Sequence, residues 1–129
     1  MPMEIITPKN VQRPLGYSHA IRCGNTIYVA GQNAFDEEGK LVGDGDVVAQ
    51  TECSYENLKR VLEAAGASMS DVVQMRIYVL NECLEGFKKT GEIRRKYFGR
   101  HFPAITLLVI DGLYESGTLI EVEAVAVVD

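Results

Sequence analysis

Apolar residues fall into two kinds of spacing along the chain. Val48, Thr51, Tyr55, Leu58, Leu62 and Ala65 recur at three- and four-residue steps, which predicts a helix over 46–65 with one stripe facing a core. Gly66 suits the residue that stops such a helix. A second helix is predicted over 84–97, with Leu84, Phe87, Ile93 and Tyr97 inward and Gly99 as its end. Elsewhere β-branched and aromatic residues gather in short runs. Ile27, Tyr28 and Val29 follow a Gly24-Asn25 pair, so 19–23 and 26–30 read as a hairpin. Residues 72–80, 104–110 and 118–128 read as three further strands. The order is ββ-α-β-α-ββ, an α+β fold with two helices packed on one face of a mixed sheet.

The last two strands change that picture. Runs such as Ile105-Thr106-Leu107-Leu108-Val109-Ile110 and Val125-Ala126-Val127-Val128 are apolar on both faces, whereas two helices cover only one. The other face needs a cover, most simply further copies of the chain, so a homo-oligomer is expected.

At 129 residues the chain is a single domain, 1–129, long enough to bury a core without staples. Thirteen Lys and Arg against 18 Asp and Glu give a net charge of −5, which opposes general binding of nucleic acid. Six of the 13 basic residues lie between Lys88 and Arg100, and a solvated helix face accounts for them. No apolar run is long enough for a membrane span, and Met1-Pro2-Met3-Glu4 has no secretory pattern, so a cytoplasmic protein is expected. Cys23, Cys53 and Cys83 are odd in number, with no CxxC and only two histidines, so neither a disulfide framework nor a metal site is expected. Cys83, between Glu82 and Glu85, has neighbours that disfavour a thiolate, and cysteine catalysis is rejected.

The chemistry concentrates in the last strand. Alternation puts Leu119, Glu121, Glu123, Val125 and Val127 on one face, with Ile120, Val122, Ala124 and Ala126 on the other. Two carboxylates about 7 Å apart thus share a face with apolar residues. A carboxyl group in such surroundings suits general acid or base work. A solvated or ion-paired strand-end glutamate explains the pattern equally well.

Five segments in this order and spacing resemble the reactive intermediate deaminase (RidA, YjgF-like) family over essentially the whole chain. They are Gly16-Tyr17-Ser18, the stretch 24–32 ending in Gly31-Gln32, the stretch 57–67, Phe102-Pro103-Ala104, and Ile120-Glu121-Val122-Glu123-Ala124-Val125-Ala126. The resemblance implies a chorismate-mutase-like fold and a homotrimer around a central β-barrel-like core, with a small-molecule ligand in clefts between subunits. It implies hydrolysis of 2-imino or enamine acids to 2-keto acids and ammonia, without metal or cofactor. By position it assigns water activation to Glu121 and pocket-shaping roles to Tyr17 and Gly31. In a deaminase built this way, Tyr17 and backbone groups near Gly31 and Leu107 are expected to position the substrate.

Two positions depart from that pattern. Where the family has an arginine for the substrate carboxylate, this chain has Ile105, and Gly91 stands where an asparagine is usual. Loss of a bidentate arginine contact costs on the order of a few kcal/mol toward an anion. Arg22, Arg76 and Arg94 are the candidate replacements, and nothing in the sequence places them. The expected function is a deaminase-like hydrolase for a substrate other than the archetypal 2-imino acid. The alternative is a trimeric ligand-binding protein that has lost the chemistry. RNA cleavage, another association of the family, is opposed by the acidic charge and the lack of a His/Lys catalytic pair.

Overall fold

The Gly24-Asn25 pair forms the turn its composition calls for. Gly24 takes a φ of 59°, a left-handed value that glycine adopts without a Cβ penalty. The chain reverses there from β2 (Ala20–Cys23) into β3 (Thr26–Gln32), paired antiparallel from Ala20↔Val29 to Cys23↔Thr26. The computed structural model describes residues 2–129. Within it a short strand absent from the sequence reading, β1 (Met3–Ile6), pairs antiparallel with the outer side of β2. Four residues are too few for alternation to announce a strand.

Three longer strands complete a six-stranded sheet: β4 (Val72–Leu80), β5 (Ala104–Ile110) and β6 (Ile120–Val127), in the order β1-β2-β3-β6-β4-β5. The last strand in sequence is therefore central. It pairs antiparallel with both β3 and β4, while β5 lies parallel to β4 at the edge. Burial along β6 alternates strictly, with Ile120, Val122, Ala124 and Ala126 inside.

Helix α1 (Val47–Ala64) crosses from β3 to β4 on one face. Asp46 caps it, its Oδ1 accepting from the amides of Val48 and Ala49 at 3.1 Å each, which satisfies donors that a helix start leaves open. The stripe differs from the sequence reading in one respect: Val48 faces solvent and Val47 faces the core. The buried face also carries polar side chains, Gln50, Thr51, Ser54 and Asn57, which hydropathy periodicity cannot assign to the inside.

The predicted second helix is two helices, α2 (Leu84–Phe87) and α3 (Gly91–Phe98), so three helices pack on the sheet instead of two. At the break the Phe87 carbonyl accepts from both the amide and the hydroxyl of Thr90, at 2.9 and 2.7 Å. That carbonyl is thus not left for Gly91, whose amide would extend the helix. Buried Phe87 and Phe98 anchor the two pieces separately, and Gly99 ends the second with φ 65°.

The core lies between the helices and one sheet face, around Ile27, Leu58, Leu62, Met75, Ile77 and Val122. The opposite face has no helix. Tyr28 is 54% exposed there and Val127 43%. Strand β5 also outruns the helical layer, leaving Leu107 and Val109 nearly half exposed beside a free strand edge. Apolar surface is thus left uncovered on the helix-free face, as the sequence reading anticipates, and also at the β5 edge of the helix face, which it does not. No helix among the described residues is long and apolar enough to cross a membrane.

Asp46→Ala is expected to lower the stability by about 1 kcal/mol, and Asp46→Asn by much less. Urea unfolding of the two variants checks this.

Candidate functional site

Glu121 and Glu123 project from β6 onto the open face, and their surroundings separate them. Glu123 accepts a short hydrogen bond from the Tyr78 hydroxyl and pairs with Arg76 at 3.4 Å. It is a structural carboxylate, tied into the β4–β6 ladder. Glu121 makes no hydrogen bond or ion pair among the described residues. Its carboxylate lies against Gly31, in the β-bulge where Ala30 and Gly31 of β3 sit opposite the single residue Glu123. A Cβ on Gly31 would overlap the Glu121 carboxyl group and come within 2.8 Å of its Cγ. The missing side chain at Gly31 is what lets this carboxylate lie down on the strand.

Tyr17 completes the group. Burial, and then the charges of Glu115 and Glu121, push its phenol up from the ordinary value, so at neutral pH it remains a hydroxyl donor. Its ring meets the His19 ring edge-on at 5.5 Å. His19 is 2% exposed and fixed on both nitrogens: Nε2 lies 2.7 Å from the Gln12 carbonyl, and Nδ1 lies 3.1 Å from the Gln32 amide nitrogen. The Gln32 amide also donates to the Ala30 carbonyl, so its nitrogen faces the ring and His19 is the neutral Nε2–H tautomer. This network holds the segment carrying Tyr17 against the bulge carrying Gly31. His19 and Gln32 are supporting residues that the sequence reading passes over, although Gln32 stands next to Gly31 in the segment singled out there.

Ile105 and Leu107 lie elsewhere. In the parallel β4–β5 pairing Ile105 sits beside Met75 and Leu107 beside Ile77, both on the helix face. Glu121 sits beside Tyr78 on the other face. One chain therefore brings Glu121 and Gly31 together, with Tyr17 near enough for its phenol to feel the Glu121 charge, and keeps Ile105 and Leu107 on the other face. Ile105 instead lines a cavity of about 280 Å³ with Gly91, Arg94, Arg95 and Phe102.

The three candidate cations are equally distinct. Arg22 donates to the carbonyls of Gly24 and Ala65, closing the end of α1, and Arg76 holds Glu123. Only Arg94 shares a cavity with Ile105. A larger groove of about 590 Å³ between α1 and α3 is built from groups that satisfy one another: Tyr97 donates to Glu56 at 2.7 Å, and Lys96 pairs with Glu52 at 3.0 Å. Burial, more than the adjacent Glu82, pushes the Cys83 thiol up, and its sulfur points at the carbonyls of Leu80 and Leu119. Among the described residues no group of three or more His, Cys, Asp or Glu is placed to hold a metal ion.

The family model described as Endoribonuclease L-PSP matches residues 9–128. A RutC family protein of Pyrococcus abyssi is 40% identical over 127 residues, covering 98% of each chain. A 2-iminobutanoate/2-iminopropanoate deaminase of Dermatophagoides farinae is 30% identical over 129 residues, covering 99% of this chain and 98% of that one. Among solved structures, RidA from the Antarctic bacterium Psychrobacter sp. superposes with a TM-score of 0.88 at 30% identity, covering 97% of this chain and 99% of that one.

The overlap at Gly31 is with a flexible side chain and not with backbone. Gly31→Ala is thus expected to cost about 1 kcal/mol of stability and to swing the Glu121 carboxylate away from β3. Thermal unfolding and a crystal structure of the variant check both halves of that expectation.

Proposed function

Because this chain belongs to the Endoribonuclease L-PSP family, with RutC and RidA proteins among its relatives, we propose that it is a deaminase-type hydrolase of small imino or enamino acids, with Glu121 activating water. The observation that carries this reading is the Glu121 carboxylate, without a partner among the described residues and laid against Gly31. A carboxylate with no protein partner is free to take a proton from water, which the ion-paired Glu123 is not.

In the proposed step the water oxygen attacks the carbon of the C=N bond while Glu121 takes the proton. Glu121 returns that proton to nitrogen, giving a neutral carbinolamine. It then carries the hydroxyl proton to the same nitrogen as the C–N bond breaks, so that ammonia leaves and the 2-keto acid remains. Tyr17, as a hydroxyl donor, orients the substrate or stabilises negative charge as it develops. An enamine enters the same route as its imine tautomer. No metal or cofactor takes part in this scheme.

The reading also calls for more than one copy of the chain. Glu121 and the Ile105 cavity lie on opposite faces of the sheet, so a substrate touching both sits between copies. The apolar surface left open around Tyr28, Leu107 and Val109 gives those copies an area to bury. We assign the assembly as a homotrimer with its ligand in the intersubunit clefts.

RNA cleavage, the activity in the family model's description, is less well supported by this chain. A net charge of −5 repels a polyanion, and buried His19 is locked by Gln12 and Gln32. A second reading, a ligand-binding protein without turnover, is favoured by one observation alone: Ile105 supplies no cation for a substrate carboxylate.

The test is release of 2-oxopropanoate from 2-iminopropanoate generated in situ by an amino-acid oxidase. The protein is expected to accelerate release, and Glu121→Gln to lower kcat by about 100-fold or more. Full activity in Glu121→Gln would rule the mechanism out, and no acceleration by the native protein would leave the binding reading. Light scattering is expected to give a particle three times the 14.2 kDa of one chain, and Tyr28→Glu to reduce its size.

A further inference from the structure

The cavity beside Ile105 contains a charge that the protein leaves unmatched. Two arginines line it. Arg95 is paired with Glu92 at 2.7 Å, one turn away on the same helix. Arg94 has no salt bridge among the described residues, and its Nε is buried without a hydrogen-bond partner. Its nearest engagement is with the buried Tyr55 hydroxyl: burial pushes that phenol up, and the Arg94 guanidinium opposes the rise. A hydroxyl gives a guanidinium no negative charge. The Nε is sealed from the cavity, but the side chain lines it as a half-buried cation with no carboxylate partner among the described residues. An anionic ligand relieves the desolvation cost of such a charge.

The geometry points to Arg94 as the group that receives a ligand's carboxylate, in the cavity it shares with Gly91, Phe102 and Ile105. This assignment rests on the deaminase reading and supplies the cation that residue 105 lacks. The charges around the cavity specify the ligand class. With Arg95 and Glu92 cancelling, one positive charge remains, which matches a monocarboxylate better than a phosphate dianion. Ile105 and the half-exposed Phe102 form the apolar wall, so the acid's hydrocarbon part packs there while its carboxylate meets the guanidinium. The absence of a side chain at Gly91 opens the cavity on the α3 side, where a Cβ would approach the Arg95 guanidinium at 3.9 Å. The ligand is therefore a small monocarboxylic acid with an apolar chain. Its carboxylate is bound by one copy through Arg94 on the helix face of the sheet. Its reacting carbon faces the Glu121 of a neighbouring copy.

The test measures binding, so that it does not depend on turnover. 2-Oxobutanoate and its neutral counterpart 2-oxobutanamide are titrated into the native assembly and followed by NMR. The native protein is expected to bind the acid at least about tenfold more tightly than the amide, as a charge-assisted contact implies. Arg94→Met removes that preference, Arg94→Lys keeps part of it, and the charge-neutral double variant Glu92→Gln/Arg95→Met leaves it in place. Arg94→Gln, which retains a donor for Tyr55, takes the place of Arg94→Met should the latter not fold. A preference that survives in Arg94→Met or Arg94→Gln overturns the assignment, as does a native protein with no preference. Loss of acid and amide binding together identifies Arg94 as structural and overturns it too. A lost preference without imine turnover by the native protein retains Arg94 and removes the deaminase reading. Turnover with the preference intact in the variants does the reverse.

Discussion

The alternation of β6 is the constraint on which the rest of the structure depends. As the central strand between β3 and β4, it gives Ile120, Val122, Ala124 and Ala126 to the core and Glu121 and Glu123 to the open face. A slip of one residue would bury two carboxylates and expose four core side chains, an exchange worth many kcal/mol. The register that stabilises the fold is therefore the register that presents the site. The β3 bulge adds one local adjustment, setting Gly31 where the Glu121 carboxylate can lie flat.

Buried polar side chains fix that register at both ends. Gln50 on α1 donates to the carbonyls of Gly43 and Gly117 at 3.0 Å and accepts from the Leu119 amide at 2.8 Å. It thereby holds the chain just before β6 begins, two residues from Glu121. Asn57, two turns further along the same helix, donates to the carbonyls of Asn33 and Phe35 and holds the chain leaving β3. These are the two segments that flank the Gly31–Glu121 contact. Each bond contributes only about 1 kcal/mol net, yet each would leave a buried orphan if cut. The inward polar face of α1 is thus a positional device as much as a packing one.

Much of this was legible in the sequence where the signal was local. The three-four spacing of α1, the Gly24-Asn25 hairpin and the β-branched runs of β4 and β5 each carry their own period or turn chemistry. The face shared by Glu121 and Glu123 follows from period two alone. The unread features depend on tertiary partners. Glu123 differs from Glu121 only through Arg76 and Tyr78 on the neighbouring strand. Ile105 is assigned to the helix face by a parallel register that no spacing encodes. The break at Thr90 arises from competition for one carbonyl, and Val48 and Val47 exchange places through a small rotation of α1. The resemblance to a family named candidate positions without saying which share a face.

Among the described residues, Glu121 and Arg94 carry charges without an ion-pair partner. Glu121 is a carboxylate with no hydrogen bond, and Arg94 is a guanidinium with a buried, unsatisfied Nε. Their neighbours are matched, Glu123 by Arg76 and Arg95 by Glu92. The two unmatched groups lie on opposite faces of the sheet, so no motion of side chains within one chain joins them. The proposed reading gives them complementary roles, the carboxylate taking a proton and the guanidinium holding a ligand's carboxylate. Packing copies of the chain through the exposed surface around Tyr28 and β5 is what would bring one of each into the same cleft, with the substrate and not an ion pair between them.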